Sequence, residues 1–160
     1  MIIIGLDLSG PTNYQETAVA WFQKKDNTLH YLNSLVGADD RTINDLISEI
    51  SQTHEAVIGL DAPLSYNIGG GDRDRDAQLR GLVVAAGLAS GSVMTPTMTR
   101  MSYLTLRGIS VARSLELLKP RPPRIVEVHP GASLALRGAS VKNIRRLKED
   151  SSARLNILRF

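Results

Sequence analysis

Three acids stand at the ends of apolar runs: Asp7 in "IIIGLDLSG", Asp61 in "AVIGLDAPL" and Glu127 in "IVEVHPG". A carboxylate embedded among Ile, Leu and Val is costly to bury unless it is paired, hydrogen-bonded or bound to a cation. Three of them converging on one edge would repel one another, and a divalent ion offsets that repulsion. Mg²⁺ accepts a few carboxylates together with retained waters and phosphate oxygens. The fitting chemistry is phosphoryl transfer, in which bound ions activate a water and stabilise the leaving oxygen of a phosphodiester. The chain has no cysteine, so any metal must be held by oxygen or imidazole ligands, and a hard cation is the default. Arg75, Arg80 and Arg107 are candidates to meet a substrate phosphate. His129, two residues beyond Glu127, is a further substrate-binding candidate.

Each of these residues also has a plainer use. Asp7 and Asp61 are suited to strand-ending turns in which their oxygens accept nearby backbone N–H groups. Glu127 is suited to pairing with an arginine, and His129, ahead of Pro130, to a structural imidazole. In "DRDRDAQLR" the acids Asp72, Asp74 and Asp76 suit a helix start satisfied by its own ion pairs. Residues 69–71 are all glycine, but the Lys-Ser or Lys-Thr that a P-loop requires does not follow, so they read as a flexible loop.

The elements that must position the acids follow from periodicity. Residues 2–8 read as an apolar strand, and residues 17–23 and 28–35 as two more flanking "KKDNT". Asp39 and Asp40 cap a helix carrying Ile43, Leu46, Ile47 and Ile50 that runs to about Thr53. Residues 56–60 return as a strand. Residues 77–88 and 98–118 read as helices, the second ended by "KPRPPR". A fifth strand spans 124–129, a short helix 132–137, and one or two basic helical segments 141–160. Side chains alternate across a strand, so Gly5 shares a face with Asp7, Gly59 with Asp61, and Glu127 with His129. Each glycine keeps space open beside its acid, and each run reads as a strand buried on both faces.

Length and composition fit one soluble α/β domain over residues 1–160. The opening apolar run is too short to span a membrane and lacks a secretory flank, which predicts a cytoplasmic protein. Charge is segregated: residues 1–99 hold 6 basic and 12 acidic side chains, and residues 100–160 hold 13 basic and 4 acidic. A net −6 followed by +9 points to a polyanionic partner, or else to solvated helix faces.

The successive segments "IIIGLDLSG", "IGLDAPLS", "RDRDAQLR", "SYLTLRGISVARSLE" and "IVEVHPGAS" resemble the family catalogued as domain of unknown function 429, described as predicted nucleases of ribonuclease H-like fold. The resemblance runs from residue 2 to about residue 138 and is most specific in "DAPL" followed by "VEVHPGA". It implies a ribonuclease H-like mixed five-stranded sheet of order 3-2-1-4-5 with flanking helices. The strands bearing Asp7, Asp61 and Glu127 would then lie side by side and parallel. Nucleases of that fold usually take a further acid from a C-terminal helix, whereas this sequence has none after Asp150. The chain is therefore expected to be a shortened member of the family or one truncated at its C-terminus.

The expectation is a nuclease that holds Mg²⁺ or Mn²⁺ at Asp7, Asp61 and Glu127 and hydrolyses DNA or RNA. Two alternatives remain. One is a non-catalytic nucleic-acid or protein-binding module of the same fold; the other is a relative of the actin-like phosphotransferases, in which Asp7 would hold a metal nucleotide.

Overall fold

A computed structural model describes residues 1–160. Five strands, β1 (Ile2–Asp7), β2 (Ala18–Lys25), β3 (Thr28–Val36), β4 (Ala56–Asp61) and β5 (Arg124–Glu127), form one sheet of order β3-β2-β1-β4-β5. The hairpin pairings β1–β2 and β2–β3 are antiparallel, and β1–β4 and β4–β5 are parallel. The helices are α1 (Asp40–Thr53), α2 (Asp74–Ala85), α3 (Thr99–Glu116), α4 (Pro130–Leu136), α5 (Val141–Arg145) and α6 (Ser151–Leu158). This is the α/β architecture read from the sequence pattern, in the strand order that the family resemblance implies. The chain divides into two compact units, one of residues 1–66 and 99–128, the other of residues 67–98 and 129–160.

The first unit holds the whole sheet with α1 and α3. Helix α1 starts where Asp39 accepts the Thr42 N–H at 2.8 Å, a side-chain cap for an otherwise orphaned donor. Its buried Ile43 and Ile47 pack with Val111 and Leu115 of α3 against Ile4, Leu6, Ile58 and Leu60. Both helices therefore cover the same face. Burial on β1 and β4 alternates strictly, and Ile3, Gly5, Asp7, Val57, Gly59 and Asp61 on the other face are half-buried or exposed. The expectation of strands buried on both faces is thus corrected: apolar residues at the intervening positions mimic a doubly covered strand. Strand β3 is exposed along its length, with Leu32 inserted as a bulge opposite the Trp21–Phe22 step.

Helix α3 approaches the segment after β4 without an intervening side chain. A Cβ at Gly108 would lie 2.9 Å from both the Ala62 Cβ and the Pro63 carbonyl oxygen, so this crossing requires glycine.

In the second unit, α2 begins three residues before the position read from periodicity. Asp76 accepts the Arg73 backbone N–H at 3.0 Å and its guanidinium at 2.6 and 2.8 Å, which satisfies the helix start as an internal ion pair. Gly87, at φ +92°, ends the helix region. Val83, Leu88, Val93, Ala132 and Ala135 form this unit's core. The three-glycine loop is tied back by Gly71 N–H to Thr97 Oγ1 at 3.0 Å and by Asn67 Nδ2 to the Gly70 carbonyl at 3.2 Å. No helix of the chain is long and apolar enough to cross a membrane.

Gly108→Ala is expected to destabilise the chain by roughly 1–3 kcal/mol through overpacking against a backbone that cannot yield. A urea denaturation midpoint equal to wild type would contradict this reading of the crossing.

Candidate active site

Strands β1 and β4 pair in register from Ile2 opposite Ala56 to Asp7 opposite Asp61. Adjacent strands lie about 4.8 Å apart, and residues opposite one another share a face. The two carboxylates therefore stand side by side at the carboxyl edge of the sheet, on the face that α1 and α3 leave open. Gly5 lies opposite Gly59 two residues earlier, and a methyl group added at Gly5 would meet no atom within 4 Å. The space beside the acids is open as the glycines imply. Asp7 is exposed and Asp61 half-buried.

The turn after β1 is satisfied without Asp7. Ser9 donates its backbone N–H to Thr17 Oγ1 at 3.2 Å and its hydroxyl to the Asn13 carbonyl at 2.7 Å. With the Ser9 proton so placed, the 2.8 Å contact between the two hydroxyls is donated by Thr17. Thr17, fully buried, then uses its one donor and both acceptor sites, because Arg107 Nη1 donates to it at 2.9 Å.

Arg107, expected at a substrate phosphate, instead faces inward. Its side chain is 5% exposed, and it donates to Asp40 Oδ1 at 2.7 Å, the Ser9 carbonyl at 2.8 Å, Thr17 and the Ala38 carbonyl at 3.3 Å. Four of its five N–H donors are spent on the loops after β1 and β3 and on the start of α1. An amphipathic helix pattern gave no sign that a positively charged position faced inward.

Glu127 does not join the aspartates. The β4–β5 register places it opposite Leu60, on the face covered by helices and opposite to that of Asp7 and Asp61. Its Oε2 accepts the Leu64 N–H at 2.9 Å, holding the segment that follows Asp61. Val128, whose N–H donates to the Leu60 carbonyl at 3.0 Å, is the next residue along and brings its methyls beside Gly59. The sequence supplied the parity within β5 but not its register against β4. No three His, Cys, Asp or Glu side chains of the structure are grouped to hold a metal ion.

The remaining candidates belong to the second unit. Arg80 is engaged by Asp72 and by the Val93 carbonyl at 3.0 and 3.1 Å. The Arg80 and Thr95 donors hold the Asp72 carboxyl well below the usual carboxylate range. His129 caps α4: Nδ1 accepts the Ala132 N–H at 3.4 Å, and Nε2 stands 2.6 Å from the Ser92 carbonyl. A carbonyl only accepts, so Nε2 carries the proton and both ring nitrogens are used structurally. Arg75, exposed on the first turn of α2, is the one predicted arginine that these networks leave facing solvent.

A family model described as Protein of unknown function (DUF429) matches residues 5–160. The chain belongs to that family. No curated protein and no solved structure matches it. The DUF429 match spans both units and includes every residue of the site. Sequence reasoning missed Ser9, Thr17 and Asp40 as its supports; a threonine opening a strand was the only local signal, and its partners lie far along the chain.

Replacing Arg107 by methionine should cost roughly 3 kcal/mol, since buried acceptors lose their donors. Lysine should not restore the loss, because a point ammonium cannot reach four separated acceptors; a urea midpoint for Arg107→Lys equal to wild type would refute this. Asp72 binds its proton less readily when folded than when unfolded, so its stabilisation is present above about pH 4 and fades on acidification. Asp72→Asn should therefore flatten the acid limb of stability against pH, measured by thermal melts at successive pH values.

Proposed function

We propose that this DUF429 chain is a metal-dependent nuclease of ribonuclease H-like architecture, with Asp7 and Asp61 as its acidic centre. The observation that carries the proposal is the in-register placement of the two carboxylates at the exposed carboxyl edge, beside open space at Gly5. Crevices outside the carboxyl ends of strands are where open α/β sheets bind ligands.

The donor set fits Mg²⁺ or Mn²⁺: two hard, anionic oxygen ligands whose remaining positions suit water and phosphate. Such an ion, when bound, would supply charge neutralisation and an activated water for phosphodiester hydrolysis. Asp7 and Asp61 orient the site through strands whose backbones are paired on both sides. The Arg107 network keeps the turn after Asp7 in place, and Glu127 does the same for the segment after Asp61. Neither residue touches the reacting atoms in this reading. Action in the cytoplasm on DNA or RNA belongs to the same proposal, supported by the cysteine-free composition and the basic second half.

One observation favours the non-catalytic alternative, a binding module of the same fold: Glu127, the third acid, is committed to the Leu64 amide. The two readings differ in cleavage. Wild type should cut labelled nucleic acid in Mg²⁺ or Mn²⁺ but not in chelator. Asp7→Asn and Asp61→Asn should each lose at least about 100-fold in rate while remaining folded. Glu127→Gln should retain most activity but unfold at lower urea. Equal rates in wild type and both Asn variants would eliminate the site.

A further inference from the structure

The sheet face that bears Asp7 and Asp61 is also a largely apolar surface. Pairing register aligns Tyr31, Phe22, Ile3, Val57 and Arg124 in one row across all five strands. Lys24, paired with Leu29, falls on the same face two residues from Phe22. Tyr31 is 60% exposed and Val126 51%, while Phe22, Ile3 and Val57 are half-buried. Exposed apolar side chains gathered on one face make it a candidate interaction surface.

The aromatic pair is held ready. Tyr31 and Phe22 meet edge to face, with centroids 5.8 Å apart and planes at 66°. The Tyr31 hydroxyl is tied to Ser34 Oγ at 2.8 Å, so little rotamer freedom remains to be lost on binding. Lys24 and Arg124 are exposed at this edge. Asp7 lies four positions beyond Ile3 of the aromatic row, about 13 Å along the strand.

We propose that this face is a stacking platform for single-stranded nucleic acid, with bases on Tyr31 and Phe22 and phosphates at Lys24 and Arg124, leading to the Asp7–Asp61 pair. The choice of polymer rests on the nuclease reading above. The choice of strandedness rests on the platform, because base faces are available to aromatic side chains only when the strands are unpaired. A second copy stacked on this face would bury the two cations against an apolar row, whereas phosphates neutralise them.

The test is fluorescence anisotropy in chelator, where no cleavage occurs, using a labelled single strand of roughly twelve nucleotides and its duplex. The single strand should bind at least about 10-fold more tightly, and Tyr31→Ala should weaken it roughly 5- to 100-fold. Tyr31→Phe should weaken it far less than Tyr31→Ala, since stacking survives and only the hydroxyl's tie to Ser34 is lost. Lys24→Glu and Arg124→Glu should each reduce the slope of log affinity against log salt by about 1. Circular dichroism and urea midpoints verify that each variant is folded. Equal affinity for duplex, wild-type binding by Tyr31→Ala, or a dimer that occupies the face and binds no oligonucleotide would overturn the proposal. Tyr31-dependent binding without metal-dependent cleavage would instead overturn the nuclease reading alone. Cleavage indifferent to Tyr31 would do the reverse.

Discussion

Parallel pairing of β1 with β4 joins residues 54 positions apart without a single slip, from Ile2 opposite Ala56 to Asp7 opposite Asp61. A shift of one residue would turn Ile58 and Leu60 away from the helices and carry Asp61 to the covered face. The apolar contact of Ile4, Leu6, Ile58 and Leu60 with α1 and α3 therefore does two things at once. It stabilises the sheet, and it determines that two carboxylates point to the open side together. No interaction between the acids themselves is needed to bring them there.

The loops at that edge are held by polar groups rather than by packing. Arg107 reaches from α3 to the turn after β1, the entry of β2, the exit of β3 and the start of α1. A guanidinium suits this task because its donors lie in a rigid plane and it stays charged. One residue further along the same helix, Gly108 lets the segment after β4 pass against the helix backbone, and Glu127 secures Leu64 from β5. Arg107 and Glu127, which by charge alone look like ligands, are thus bonded to the loops at this edge.

One-sided covering of the sheet by α1 and α3 leaves its other face half-buried or exposed. It gives Asp7 access to solvent, and it exposes Tyr31, Val126 and their neighbours beside it. In the second unit the charged residues of "DRDRDAQLR" are mostly internal partners, with Arg73 on Asp76 and Arg80 on Asp72. Counting charges along the chain overstates how many are available to a ligand, because hydrogen-bonded pairs within a unit remove both members.

Periodicity alone was sufficient for the strands, for α1 and α3, and for the position of each acid on its own strand, because these depend on side chains a few residues apart. It was also sufficient for the glycine–acid pattern at Asp7 and Asp61. The starting point of α2 was less legible, since an ion pair between Arg73 and Asp76 begins that helix before its apolar pattern does. The roles of Arg107, Glu127 and His129 were decided by tertiary structure. Their partners lie 98, 63 and 37 residues away at Ser9, Leu64 and Ser92, and alternation within one strand says nothing about its register against another. Local spacing determined which residues face together on an element; only the packing of elements decided which of those faces meet solvent and which charges are already satisfied.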